Sequence, residues 1–376
     1  MHSEILFLTL KVFSSTGGIE RVCRIMGKSL FENATRFNKR LKIFSLHDQQ
    51  KDAVDNPYFP LEIFHGFQAK KFQFVRKAVW QGRQSRVILM SHVNLLVAGW
   101  LIKKINPRAR LVLIVHGVEV WRPLGNMKKR MLRSCDEIVS VSEFTRQKMM
   151  ELHQVPADKI RILHNCLDPF LPLLKNVPSP EFLRKRYGLA PNDRVLFTLT
   201  RLASTERYKG YNNVMEALVQ IQDPHVKYLI AGKYDAIEKK FIDELIDQLG
   251  LQGRVILAGF IPEEEVASHF RLSDVYVMPS MKEGFGIVFI EAMYYQLPVI
   301  AGNKDGSVDA LLNGELGILV DPLDVDGIRD ALESVLVAPK AYLPNQELLA
   351  HHFSYETYKY NVNRLLARHG GWNMQG

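Results

Sequence analysis

Residues 274–300 read DVYVMPSMKEGFGIVFIEAMYYQLPVI. Val275-Tyr276-Val277-Met278 is a short apolar run and reads as a buried strand. A loop with Gly284 and Gly286 follows, then a helical pattern over Ile287 to Gln296 that Pro298 stops. A second strand begins at Val299. Strand, glycine loop and helix together aim free backbone N–H groups at an anion. Two carboxylates frame the turn, Glu283 in the loop and Glu291 in the helix. Carboxylates beside an anion site repel phosphate but suit sugar or ribose hydroxyls, so the stretch reads as a nucleotide-sugar site. Taken alone, the same residues fit a plain strand-to-helix turn with one solvated and one surface glutamate about equally well.

Three further stretches bear on that choice. Arg194 to Thr200 reads as an apolar strand, with Arg201 at its end and Lys209-Gly210 soon after. Fixed cations beyond a strand end bind a diphosphate and stabilise the charge that grows as it leaves. The arginine can fork onto two phosphate oxygens, whereas the lysine acts as a point charge. A solvated basic loop is the alternative. Near the start, a strand from Glu4 to Leu10 leads into a loop ending Gly17-Gly18 and a helix from about Ile19 to Thr35. Glycines there let backbone approach a ligand, although a bare Gly-Gly pair more often marks a turn. This is not the G-x-G-x-x-G of dinucleotide sites. Finally, His116 follows the apolar strand Arg110 to Val115, at the strand end where parallel sheets bind ligands.

Glu283-Gly284-Phe285-Gly286 followed by Glu291 resembles the E-x7-E motif of the retaining glycosyltransferases of family 4, which have the GT-B fold. Arg201-Leu202 with Lys209-Gly210, and Gly17-Gly18-Ile19-Glu20, resemble other motifs of that family. The likeness runs from Ile5 to about Leu366. It implies an α/β GT-B architecture, two Rossmann-like doubly wound parallel-sheet domains facing a cleft. Residues 1–175 would bind the acceptor and 185–350 the nucleotide sugar, with a helix over 354–369 crossing back to the first domain. Two departures stand out. Cys166 replaces the glycine of an N-G-x-D turn, keeping Asn165 and Asp168, and Asp305-Gly306-Ser307-Val308-Asp309 stands where the family has G-G-x-P-E.

The resemblance implies transfer of a hexose from a nucleoside-diphosphate sugar to a hydroxyl of a saccharide or lipid-linked saccharide, in polysaccharide or glycolipid biosynthesis. Glu283 would hold the transferred sugar, and His116 would hydrogen-bond the sugar or acceptor. Arg201, Lys209 and the helix start at Gly286-Ile287 would hold the diphosphate, with Phe285 and Gly286 giving backbone N–H groups. Glu291 would bind the ribose, the Phe260 backbone the base, and Gly17 and Gly18 would lie under the diphosphate. No cofactor beyond the nucleotide-sugar co-substrate, and no metal, is expected. Asp324-Val325-Asp326 mimics a D-x-D metal motif but opens a helix, where Asp326 reads as a cap. An epimerase or hydrolase of nucleotide sugars on the same frame, or a non-catalytic partner protein of that fold, are the competing readings.

Composition sets outer bounds. The chain has 376 residues, 47% hydrophobic, enough for two cores. Three scattered cysteines suit neither a disulfide framework nor a metal site and point to a reducing, cytoplasmic setting. The start goes straight into a strand, with no secretory signal, and no run of about 18 apolar residues exists. Net charge is +9, unevenly spread. Residues 1–190 carry 32 Lys and Arg against 15 Asp and Glu, so the remainder is acidic. The segment Phe64 to Arg86 mixes bases with Phe72, Phe74 and Trp80 and reads as a basic amphipathic helix. Such a helix suits an anionic membrane surface, here the inner face of the cell membrane, as well as an ordinary solvated face. Nucleic acid is not expected, since no recognition motif accompanies the charge.

Overall fold

The computed structural model describes residues 4–370. It divides into two compact units, the first made of residues up to Pro169 plus those from Phe353 onward, the second Phe170–His352.

In the first unit the strands are β1 (Glu4–Thr9), β2 (Arg40–Ser45), β3 (Phe64–Gly66), β4 (Ser85–Met90), β5 (Arg110–Val115), β6 (Glu137–Ser140) and β7 (Ile160–Ile162). They form one sheet in the order β3-β2-β1-β4-β5-β6-β7, and all their pairings are parallel. Strands buried on both faces must be apolar at successive positions, which is why these read as continuous runs. In β1 the alternation divides the core. Ile5 and Phe7 join one cluster, Leu6 and Leu8 the other. The first cluster is closed by the helix Gly18–Arg36 and by Tyr358, Val362, Leu365 and Leu366 of the last helix, Tyr355–Gly370. Tyr355 donates to Glu32 at 2.9 Å, and His369 pairs with Glu137 of β6. The second cluster is covered by the helices Lys71–Gly82, Leu96–Ile105 and Asn126–Leu132.

In the second unit the strands are β8 (Arg194–Leu199), β9 (Val226–Ala231), β10 (Val255–Gly259), β11 (Val275–Met278), β12 (Val299–Gly302) and β13 (Ile318–Val320). Their order is β10-β9-β8-β11-β12-β13, again parallel. One face packs on the helices Tyr211–Gln220, Ala236–Leu249 and Val325–Val337. The other is aromatic: Phe197 packs on Phe270 of the helix Glu263–Leu272, and Tyr276 on Phe289 of the helix Ile287–Tyr294. Both sheets therefore have helices on both faces. The stretch 170–186 belongs to this unit, with Val177 and Leu183 buried and Arg271 donating to the Val177 carbonyl.

Several local expectations change. The segment Phe64 to Arg86 is not one helix. Phe64 is buried in β3, Phe67 is buried in the turn, and the helix runs only over Lys71–Gly82. The cap of the helix Val325–Val337 is Asp324, whose Oδ1 accepts from the Gly327 N–H at 3.0 Å, while Asp326 pairs with Arg329 one turn on. The helix after Gly286 ends at Tyr294, two residues early, because Gln296 takes a left-handed φ of 61°. After Arg161 the chain leaves the sheet at Ile162, and Asn165 and Asp168 lie buried in a loop, Asp168 accepting from the Tyr58 hydroxyl at 2.5 Å.

Candidate functional site

In an open parallel sheet, ligands bind beyond the carboxyl ends of the strands where the strand order reverses. In the second unit that point lies between β8 and β11. Arg201 and Lys209 follow β8, and Glu283 and Gly286 follow β11, so topology alone brings the two motifs together. The contact is direct: Lys209 Nζ lies 2.5 Å from Glu283 Oε2, with both side chains largely shielded. Burial disfavours the lysine's charge, but the Glu283 carboxylate more than offsets it and raises the Lys209 pKa above its ordinary value. The two loops also join through backbone, Met281 N–H donating to the Tyr208 carbonyl at 2.9 Å.

Gly286 caps the helix Ile287–Tyr294 with φ 86°, a left-handed conformation that favours glycine. A Cβ there would also run into the Phe289 ring and crowd the Glu283 stem. Phe285 and Ile287 bury their side chains. Glu291 is buried, 3% exposed, inside the helix. Arg201 is the open member: its side chain is 71% exposed and pairs with Glu206 at 3.3 Å. Phe260 stands 62% exposed beyond β10, two strands from β8.

Residues that the sequence reading passed over hold this loop in place. Arg207 donates from Nε to Glu238 Oε2 at 2.9 Å and stacks on Phe241, and the Tyr211 hydroxyl donates to the same fully buried Glu238. Asp235 accepts from the N–H groups of Ser204 and Glu238, both at 2.8 Å. Thus the first turn of the helix Ala236–Leu249 fixes residues 204–211. Asp235 with Glu238 three residues on was a readable helix-start signal, but its second use across about 30 residues was not.

The first unit reverses its order between β1 and β4. The loop after β1 ends at Gly17 and Gly18, where the helix Gly18–Arg36 begins. Gly17 has an extended φ of −157°, which any residue adopts, and a Cβ on Gly18 would meet no protein atom within 4 Å. A Cβ on Gly17 would meet the end of the Glu20 side chain, a flexible group that can move, so packing of the backbone demands neither glycine. The loop is clasped by Asp48, another residue passed over in sequence. This fully buried carboxylate accepts from the N–H groups of Val12 at 2.6 Å and Ser14 at 2.8 Å, and from Ser45 Oγ at 2.5 Å. His116, at the end of β5, is buried and bonds Ser91 O at the end of β4 through Nε2 at 3.0 Å. Burial lowers its pKa, so the ring is neutral near pH 7 and Nε2 carries the proton. Nδ1 is then an acceptor for a hydroxyl. Its backbone N–H donates to Glu119 at 2.5 Å.

Known proteins match on both halves. Residues 16–169 match the family model described as Glycosyltransferase Family 4, and residues 180–358 match Glycosyl transferases group 1. The chain belongs to the family 4 glycosyltransferases. It is 29% identical over 280 residues to a GDP-mannose-dependent alpha-(1-6)-phosphatidylinositol monomannoside mannosyltransferase of Mycolicibacterium smegmatis, covering 70% of this chain and 68% of that one. It is 28% identical to the alpha-D-kanosaminyltransferase of Streptomyces kanamyceticus, over 59% of this chain and 56% of the relative. The alignment thus spans little more than half of that relative's length. Among solved structures, Anabaena HepE in complex with UDP and glucose superposes with a TM-score of 0.78 at 21% identity, covering 98% and 100% of the two chains. Sucrose-phosphate synthase of Thermosynechococcus elongatus does so at 0.75 and 19%, covering 98% and 99%. These likenesses show the GT-B fold.

Proposed function

We propose that this glycosyltransferase moves a hexose from a nucleoside-diphosphate sugar to a hydroxyl of a saccharide or lipid-linked saccharide, with retention at the anomeric carbon. The observation that carries this reading is the direct Lys209–Glu283 pair at the reversal point of the second sheet. A cation and a carboxylate fixed side by side suit a ligand that offers a diphosphate next to sugar hydroxyls. Arg201, Lys209 and the helix start at Gly286 would bind the diphosphate and stabilise it as the glycosidic bond breaks. Glu283 would hold the sugar hydroxyls, Glu291 the ribose and the Phe260 backbone the base. The acceptor hydroxyl would attack on the face the leaving group vacates, with a phosphate oxygen taking its proton. His116, through Nδ1, would accept a hydrogen bond from the sugar or acceptor near Gly17 and Gly18. No metal takes part. Relatives named for GDP-mannose and a neighbour solved with UDP support a nucleotide-sugar donor without choosing the base.

The test is a thermal-shift screen of UDP, GDP and their sugar nucleotides without metal. A ligand bound to the native state raises the midpoint as ln(1 + [L]/Kd). One diphosphate should stabilise the wild type, and Arg201→Ala should lose most of that shift. No shift at millimolar concentration for any nucleotide would remove the reading's main support.

The second-cluster helices of the first unit favour a lipid-linked acceptor. Lys71–Gly82, Leu96–Ile105 and Asn126–Leu132 carry eight Lys and Arg and no Asp or Glu. On the same side Phe72 is 79% exposed, Met127 70% and Trp80 56%. Bases interleaved with exposed apolar side chains fit an anionic leaflet. No helix among the described residues is long and apolar enough to cross a membrane. Vesicles containing anionic lipid should bind the protein at low salt more tightly than neutral vesicles, and Phe72→Ser with Trp80→Ser should weaken that binding. Equal binding to both vesicle types would remove the membrane part.

A further inference from the structure

The family pattern G-G-x-P-E is broken here at its first position by Asp305, and that carboxylate is almost fully buried beneath the Glu283 turn. Asp305 Oδ2 accepts from the Glu283 N–H at 2.5 Å, and Oδ1 from the Ser307 N–H at 2.9 Å. The next residue completes the grip: the Gly306 N–H donates to the Glu283 carbonyl at 2.8 Å, and a Cβ on Gly306 would run into the Gly284 carbonyl oxygen. Both backbone polar groups of Glu283 are therefore held by the Asp305-Gly306 segment. We infer that Asp305 is a positioning residue that sets Glu283 for transfer by clamping its backbone, an inference that rests on the role proposed above for Glu283.

Only the carboxylate accepts fully from both N–H groups, and a proton on either oxygen weakens one of the two bonds. Burial, with the Glu283 charge adding to it, raises the Asp305 pKa from 3.8 to about 7. The charged groups around it are Glu283 and, through it, Lys209. Lys304 is turned away to Asp321 at 3.2 Å, and Asp309 follows one turn later. The clamp therefore tightens as pH rises through about 7 and loosens as pH falls below it.

The test measures release of UDP or GDP from UDP-glucose and GDP-mannose between pH 6 and 8, with water taking the sugar as no acceptor is supplied, and thermal shift by the free diphosphates in parallel. Wild-type kcat should rise about tenfold across that range. Asp305→Asn should cut kcat at pH 8 at least tenfold, flatten the rise, and keep diphosphate affinity within about twofold. Asp305→Gly, which restores the family residue, should behave the same way and guards against a misfolded Asn variant. Wild-type kcat in either folded variant, or equal losses of kcat and diphosphate binding, would overturn the clamp. A wild type that no free diphosphate stabilises would sink the transferase reading instead, and one that binds diphosphate but releases none without an acceptor is judged by exchange. Hydrogen exchange across residues 281–287, faster in Asp305→Asn than in wild type at pH 8, then decides the clamp without activity, and unchanged exchange overturns it.

Discussion

The two sheet-reversal points are built to opposite rules. In the second unit, charged side chains meet one another directly, Lys209 on Glu283 and Arg207 on Glu238, in addition to the carboxylate of Asp305 on the Glu283 backbone. In the first, a buried carboxylate, Asp48, holds loop backbone, and the His116 ring at the end of β5 is neutral. A site that must bind and stabilise a leaving diphosphate needs fixed charge. A site that only presents a hydroxyl needs shape and a neutral acceptor. Under the assignment of donor and acceptor proposed above, the asymmetry of the reaction is matched by how each loop is tied down.

The sharpest way to break this comparison is Glu283→Ala. Transfer should fall by roughly 10²- to 10³-fold, the usual scale for losing one transition-state contact, while UDP or GDP still raises the melting midpoint. Wild-type turnover would end the assignment. Asp48→Ala should come next, destabilising the first unit by about 3 kcal/mol because several buried N–H groups lose their acceptor. Its effect should appear in urea denaturation, with diphosphate binding to the second unit unchanged. Loss of that binding would show that the two sites are not tied down separately. The smallest effect is expected for Arg207→Ala. It strands the Glu238 carboxylate, but the arginine is partly exposed, so a cost of about 2 kcal/mol is expected, with a weaker diphosphate shift as residues 204–211 loosen. An unchanged midpoint would mean that Tyr211 and the helix start suffice.

How much was legible follows from the same contrast. The stretch 274–300 announced its strand, turn and helix start because each uses local chemistry, an apolar run and a glycine at positive φ, whereas the helix end came at Tyr294, before the proline that was to stop it. Lys209 and Glu283 were legible as motif members, yet their pairing across 74 residues came only with the sheet order. Asp48 carried no local signal, since nothing near it hints at the Val12 and Ser14 amides more than 30 residues earlier. Asp305 was visible as a departure from pattern, but its grip on Glu283 depends on how close two loops come. Where two acids compete for one cap, as with Asp324 and Asp326, a two-residue register decides, and sequence does not supply it.

The last helix, Tyr355–Gly370, belongs to the first unit although the whole second unit precedes it in the chain. During synthesis, the face of β1 that carries Ile5 and Phe7 must therefore wait, without the cover of Tyr358, Val362, Leu365 and Leu366, while about 180 residues of another domain emerge and fold. The amino-terminal unit is the first begun and the last finished, so a ribosome that stalls after residue 352 releases two units of which only the carboxyl-terminal one has its full cover.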